Sequence, residues 1–231
     1  MLCGIVSSDK VYEHILSNNP KNLGDIIEGQ SFVIDGMKVT IISPDVDKLN
    51  QLREKYSNHR PLCKSEIDKA SVEAGSVMDD YFIPLQKFNL DYFQEDTSVE
   101  NASSIAAVFE YDDKRILWLS DSVPSVVMKS LFMLGFSETN KMYCDAVLLS
   151  HHGSAANNSL ALLRMIQADK YIISADGMNG HCLPNKETIA RIVSASSNLP
   201  VTLYFNYEDG RLIKMFKSDV QEDVKLSLIH I

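Results

Sequence analysis

Three short apolar runs constrain this chain more than any other feature. "RILWLSD", "DAVLLS" and "KYIISAD", at residues 115–121, 145–150 and 170–176, are rich in Ile, Leu, Val and aromatic residues, and each stops at a polar side chain. Helical patterns separate and follow them. "SVPSVVMKSLFMLGF" reads as a helix with Pro124 in its first turn, and "NSLALLRMIQ" as a second helix. "NKETIARIVSAS" is a third, opened by Asn185 with Lys186 and Glu187 in the first turn. Upstream, "SFVIDGMKVTIISP" is a pair of β-rich runs around Asp35-Gly36, a hairpin signal, and "DVDKLNQLREKYSNH" is a helix with an Asp near its start. "SSIAAVFEY" is a further strand, joined to the first of the three runs by the turn "DDK". "VTLYFNYEDGRLIKMF" reads as a closing hairpin around Asp209-Gly210. Residues 60–100 lack a clear period and read as a helix or two with a long loop. Strands alternating with helices define an α/β layered domain.

At 231 residues the chain is long enough for one good-sized core, and we read residues 1–225 as a single domain. A formal net charge of −9 argues against a protein that coats nucleic acid through its overall field. It leaves a nuclease open, because bound divalent cations invert the field locally. No apolar run is long enough to span a bilayer, and no signal-peptide pattern opens the chain, so a cytoplasmic protein without a membrane partner is expected. Cys3, Cys63, Cys144 and Cys182 are scattered without a Cys-x-x-Cys pair, as suits reduced, structural thiols.

The polar residues that end the strands carry the chemistry. Asp121 ends "RILWLSD", His151 and His152 follow "DAVLL", and Asp176 ends "KYIISAD" with His181 shortly after. Asn101, Ser103 and Ser104 open "SSIAAVFEY", and Ser154 follows the two histidines. Active groups in α/β folds collect on loops at strand ends, so three successive strands that deliver Asp or His point to a metal or proton-transfer site. Each residue also has a plainer reading. Asp121 or Ser122 suits the N-cap of the following helix, His181 a surface loop, and Asn101 and Ser104 local turn chemistry.

The segments "NASSIAAVFEYDDKRILWLSDS", "DAVLLSHHGSAANNS" and "YIISADGMNGHCLPNKETIARI" resemble the C-terminal two-thirds of metallo-β-lactamase-fold hydrolases, most of all the branch related to the DNA-uptake protein ComEC. The resemblance covers roughly residues 30–215. It implies an αββα sandwich, incomplete at the N-terminus of this chain. It implies a metal-dependent hydrolase acting through a metal-bound hydroxide on phosphodiester or similar ester bonds, with nucleic acid a possible substrate. By the same resemblance Asp121 is a carboxylate that bridges two metal ions, zinc or manganese, and is part of the catalytic centre. His151 or its neighbour His152 is a metal ligand, His181 donates a proton to the leaving group, and Asn101, Ser104 and Ser154 orient a loop or the substrate. Ser120 stands where the family usually has Gly.

The family's His-x-His-x-Asp-His string is absent; His14 and His59 are isolated. The string would fall before Met1, which suits the apolar opening "MLCGIVSS" and a fragment of a longer enzyme. The chain alone is therefore expected to bind metal weakly or not at all. The alternative is a non-catalytic binding or regulatory protein that keeps the fold without the metals. Residues 226–231, "LSLIHI", match one reading frame of a sequencing adapter and read as a non-native tail, with a final edge strand as the alternative; His230 is set aside for that reason.

Overall fold

The computed structural model describes residues 24–59, 79–175, 182–196, 200–208, 210–219 and 226–230, with backbone only at 58, 59 and 226–230. Two hairpins start the sheet. β1 (Ser31–Ile34) and β2 (Met37–Ser43) pair antiparallel across Asp35 and Gly36, whose φ values of 48° and 84° are those of a tight turn matched to strand twist. β3 (Ala106–Tyr111) and β4 (Lys114–Trp118) pair across Asp112 and Asp113, again with both φ positive. From β4 onward the chain crosses over between parallel neighbours: β6 (Ala146–Leu148), β8 (Lys170–Ile173), β9 (Val201–Phe205) and β10 (Leu226–His230). Among the described residues the main sheet has eight strands in the order β1-β2-β3-β4-β6-β8-β9-β10. β5 (Met142–Tyr143) and β7 (Ile166–Gln167) form a separate parallel pair. The chain is thus a mixed α/β fold. Residues 226–230 take the edge position beside β9.

The register shows how the sheet is built. One face carries a continuous rung through Val108, Leu117, Val147, Tyr171 and Leu203, each directly opposite the next and all buried. Helices cover it: α3 (Pro124–Met133) supplies Val127 and Leu131, α4 (Leu160–Arg164) Leu162 and Leu163, and α5 (Lys186–Ala195) Ile189 and Ile192, all in one core cluster with that rung. α1 (Val46–His59) follows β2 and is capped by Asp45, whose carboxylate accepts from Lys48 N–H at 2.8 Å. α2 (Val99–Ala102) is a single turn capped by Ser98.

The other face is apolar as well. Its rungs run Ile41, Ala107, Trp118, Leu148, Ile172, Tyr204, and Phe32, Val39, Phe109, Ile116, Ala146. No helix packs its centre among the described residues, and Ile116 and Trp118 stay 40% and 47% exposed. A sheet with water on one side normally alternates polar and apolar residues; one apolar on both faces is the middle of a layered stack.

Two expectations change on contact with the structure. The segment after Gly210 is a helix, α6 (Gly210–Lys214), and not the return strand of a hairpin. Leu212 and Met215, three residues apart, are both buried in the core, so helical spacing wins, and β9 already has β8 and β10 as neighbours. Residues 79–98 form the long loop expected in this region, with one 3₁₀ turn at Leu85–Lys87, while residues 60–78 lie outside the described residues; the second change is the cap of α5. Asp80 in this segment caps α5 by accepting from Lys186 and Glu187 N–H at 2.8 and 2.9 Å, the job that Asn185 was expected to do. Lys186 is fully buried, its ammonium 2.6 Å from Asp219 and 2.7 Å from Ser218 Oγ, which ties the chain after α6 to α5.

The single tryptophan reports on the open face. Trp118 in the purified chain is expected to emit near the wavelength of solvent-exposed indole and to be quenched readily by acrylamide. Blue-shifted, quencher-resistant emission would mean that the face is covered.

Candidate functional site

Parallel strands end together, and that places the site. Trp118, Leu148 and Ile172 lie side by side, and the ladder continues with Leu119 N–H donating to Leu148 O and Leu149 N–H to Ile172 O. β3 runs the opposite way, with Ala107 opposite Trp118, so the residues before β3 reach the same edge. Asn101, Asp121, His151, His152 and Ser174 therefore converge at the carboxyl end of the parallel strands, where α/β sheets bind ligands.

The turn after β6 is strained. His151 (φ 44°, ψ 55°), His152 (φ 58°, ψ 22°) and Gly153 (φ 82°) are left-handed in succession. Such conformations cost about 1–2 kcal/mol per non-glycine residue, and this cost is offset by a dense set of bonds. His151 N–H donates to Ser120 O at 2.7 Å, which joins the ends of β4 and β6 directly. Ser150 Oγ donates to Ser122 O at 2.6 Å. Asn158, fully buried, accepts from Ser150 N–H and donates to the carbonyls of Ser150 and Ser154. Gly153 is required twice over: beyond its positive φ, a Cβ there would meet Pro184 Cβ at 2.7 Å.

Arg191 of α5 clamps the same loop from beneath. Its guanidinium, 2% exposed, donates to the carbonyls of Ala155 (2.5 Å) and Asn158 (2.9 Å), pairs with Glu187 and lies 5.2 Å from the Phe93 ring centre. Burial pulls its pKa down, and Glu187 opposes the shift.

Each histidine has its Nδ1 occupied. His152 Nδ1 lies 2.6 Å from the Ser174 carbonyl, which accepts only, so Nδ1 carries a proton and the neutral ring has its bare nitrogen at Nε2. His151 Nδ1 lies 3.2 Å from Asn157 Oδ1 and 3.2 Å from Asn101 Nδ2, with Asp96 Oδ2 at 3.7 Å. Asp96 is the hub: Asn101 Nδ2 donates to its Oδ2 at 2.6 Å and Asn157 Nδ2 at 3.1 Å. Burial acts to raise the Asp96 carboxyl, but the bonds from Asn101, Ser98 and Asn157, with His151 nearby, outweigh it and hold the group below the usual carboxylate range. The two imidazole rings are 5.8 Å apart.

Asp121 sits in the turn between Ser120 (φ 49°) and α3, and its carboxylate has no hydrogen-bond partner among the described residues. Its alternative role as an N-cap is not taken up: Val123 is the N-cap of α3 without a side-chain bond, Ser122 Oγ donates to Leu119 O, and Glu95 accepts from Ser125 N–H and Oγ at the helix start. Asn101 lies in α2, before the strand it was expected to open. Ser104 contributes backbone contacts, its N–H to Asn101 O and its carbonyl to Ser43 Oγ. Ser154 is buried, and its Oγ accepts from Ala156 N–H at 3.3 Å, a local turn bond. His181 and Asp176 lie outside the described residues, as do His14, Cys3 and Cys63. Cys144 is buried with its thiol pushed up to about 12 by desolvation, and Cys182 is half-buried.

Asp96 and Asn157 were missed in the sequence. Asp96 belongs to a segment without periodicity, and Asn157 was one of several small polar residues in "GSAANNS". Among the described residues no group of three or more His, Cys, Asp or Glu side chains is arranged to hold a metal ion. Asp121, His151 and His152 thus do not form such a group by themselves. No helix of the described residues is long and apolar enough to cross a membrane. No protein-family model matches the chain, and a search of curated proteins returns no significant match.

Replacing Arg191 with Met is expected to destabilise the fold by about 3 kcal/mol, because the Ala155 and Asn158 carbonyls and Glu187 lose their partner together. Equilibrium urea unfolding measures it. A loss under about 1 kcal/mol would mean that the clamp is dispensable.

Proposed function

We propose that this chain is the C-terminal part of a metal-dependent hydrolase of the metallo-β-lactamase type, acting on phosphodiester or similar ester bonds as part of a longer protein. The observation that carries the reading is the convergence on one strand edge of Asp121, whose carboxylate has no hydrogen-bond partner among the described residues, and two histidines whose Nδ1 atoms are engaged. A ligand imidazole is commonly held this way, through a bond from its other nitrogen. Asp121, His151 and His152 are the residues that would hold divalent ions, with further ligands supplied from outside the described residues. When bound, such ions supply Lewis acidity and lower the pKa of an attacking water. The chain's own contribution would be to fix the ligands: the left-handed turn holds the two histidines, and the Ser120–His151 backbone bond ties their turn to the one that carries Asp121. His181 is assigned the leaving-group proton, and Asn101 and Ser154 act by shaping the loops rather than by touching substrate. The apolar outer face of the sheet supports the finer fold assignment, an αββα sandwich, with a second sheet packed on Ile116 and Trp118. A cytoplasmic location fits the reduced thiols Cys144 and Cys182.

The second reading, a non-catalytic binding or regulatory protein, is favoured by the absence of a complete ligand set among the described residues. Hydrolysis of bis(p-nitrophenyl) phosphate by the longer protein, with manganese or zinc added, separates the two. Asp121→Ala and His151→Ala are each expected to lower kcat/KM by more than about a hundredfold while leaving the thermal midpoint within a few degrees. Activity unchanged in both variants would remove these residues from the site. Tight, stoichiometric zinc in the 231-residue chain alone would show that the shell is complete without further ligands.

A further inference from the structure

We propose that Asp96 and Asn157 are positioning residues that hold His151 in its Nδ1–H tautomer and so present a bare Nε2 at the site edge. The proposal rests on the reading of His151 as a ligand-facing side chain, and it adds what fixes that side chain's chemistry.

The argument is one of hydrogen-bond inventory. Asn157 Nδ2 faces three acceptors: Asp96 Oδ2 at 3.1 Å, Asp121 O at 3.3 Å and Ser122 O at 3.5 Å. Only an amide nitrogen suits that position, so the other amide atom, 3.2 Å from His151 Nδ1, is the oxygen. An amide oxygen accepts and never donates. The contact is a hydrogen bond only if Nδ1 carries the proton. Asn101 Nδ2 competes from the other side at 3.2 Å, because it is a donor and favours a bare Nδ1. Its shorter bond, 2.6 Å, goes to Asp96 Oδ2. The Asp96 carboxylate, 3.7 Å from Nδ1, decides the contest, since a negative charge there favours the N–H on the near nitrogen.

The geometry also explains why these two residues converge from distant segments. Asp96 N–H donates to Ala156 O at 3.1 Å, so the packed segment before α2 is pinned to the loop that carries Asn157. The loop, the carboxylate and the imidazole are one unit. His152 reaches the same tautomer by a different route, through the Ser174 carbonyl, and serves as an internal reference.

Long-range ¹H–¹⁵N correlation spectra of the chelator-treated chain, labelled with ¹⁵N-histidine, read the tautomers directly, with peaks assigned by His151→Gln and His152→Gln. In the unsubstituted chain both residues are expected as Nδ1–H. Asp96→Asn removes the charge, and Asn157→Leu removes the acceptor; each is expected to move His151 to a mixture or to Nε2–H while His152 stays as it was. Asn157→Asp keeps an acceptor and is expected to retain Nδ1–H at His151. An Nε2–H tautomer at His151 in the unsubstituted chain overturns the proposal without any variant having to fold. So does a His151 tautomer that is unmoved in both Asp96→Asn and Asn157→Leu. The hydrolysis assay on the longer protein tests the ligand reading separately: a loss of kcat/KM in His151→Ala supports it, and unchanged kcat/KM removes it while the tautomer result stands.

Discussion

A sheet with two apolar faces is the constraint from which the rest of this structure follows. Val108, Leu117, Val147, Tyr171 and Leu203 bury one face beneath α3, α4 and α5. Parallel pairing requires crossovers, crossovers bring helices, and helices need an apolar floor. The same strands carry Phe109, Ile116, Trp118, Leu148 and Ile172 on the reverse, where no helix of the described residues packs. The Phe109 and Trp118 rings, 6.0 Å apart, pack against each other, but they remain at a surface. Full burial of an apolar side chain of this size is worth about 1.5–3 kcal/mol, so leaving Ile116 and Trp118 40% and 47% exposed forgoes part of that contribution.

Parallel pairing also makes the site. Because β4, β6 and β8 run the same way and in register, whatever ends one strand lies beside whatever ends the next. The strand ends must then be held open for chemistry, and here the cost is local. Two consecutive histidines in left-handed geometry would relax in a free loop. Here they are over-determined by the Ser120, Ser122 and Asn158 bonds above and the Arg191 clamp below. Strain that persists because its surroundings fix it is a mark of functional sites.

What the sequence disclosed and what it hid divide along physical lines. Asp121, His151 and His152 were legible because an apolar run that stops at an ionisable residue marks a strand end, and strand ends in an alternating pattern share an edge. The Asp35-Gly36 and Asp112-Asp113 turns were legible because few residues accept their φ. Asp96 was not: its importance lies in contacts with Asn101, Asn157 and His151, and long-range partners leave no local pattern. The capping of α5 by Asp80 instead of Asn185 is the same case, since a cap supplied by a distant segment is invisible to a rule about neighbours. The segment after Gly210 was misread because an Asp-Gly pair signals a hairpin only when a strand has a free edge to return to. The spacing of Leu212 and Met215 held the better clue.

The two unmet needs of the chain point the same way. Under the proposed reading Asp121, His151 and His152 form part of a ligand shell, and among the described residues no layer covers the centre of the sheet's outer face. The last rung of that face before the site edge is Ala107, Trp118, Leu148 and Ile172, and the next residues along β4 and β6 lead directly into the turns that hold Asp121 and His151. A second sheet laid on this face would bring its own strand-end loops to the same edge. Under the proposed reading, one added layer would therefore supply both the missing hydrophobic contact and the missing ligands. A non-catalytic scaffold would need the first and not the second. It would also have no use for two imidazoles with engaged Nδ1 atoms at the edge where Asp121 ends its strand without a side-chain partner among the described residues, and on that asymmetry we favour the hydrolase reading.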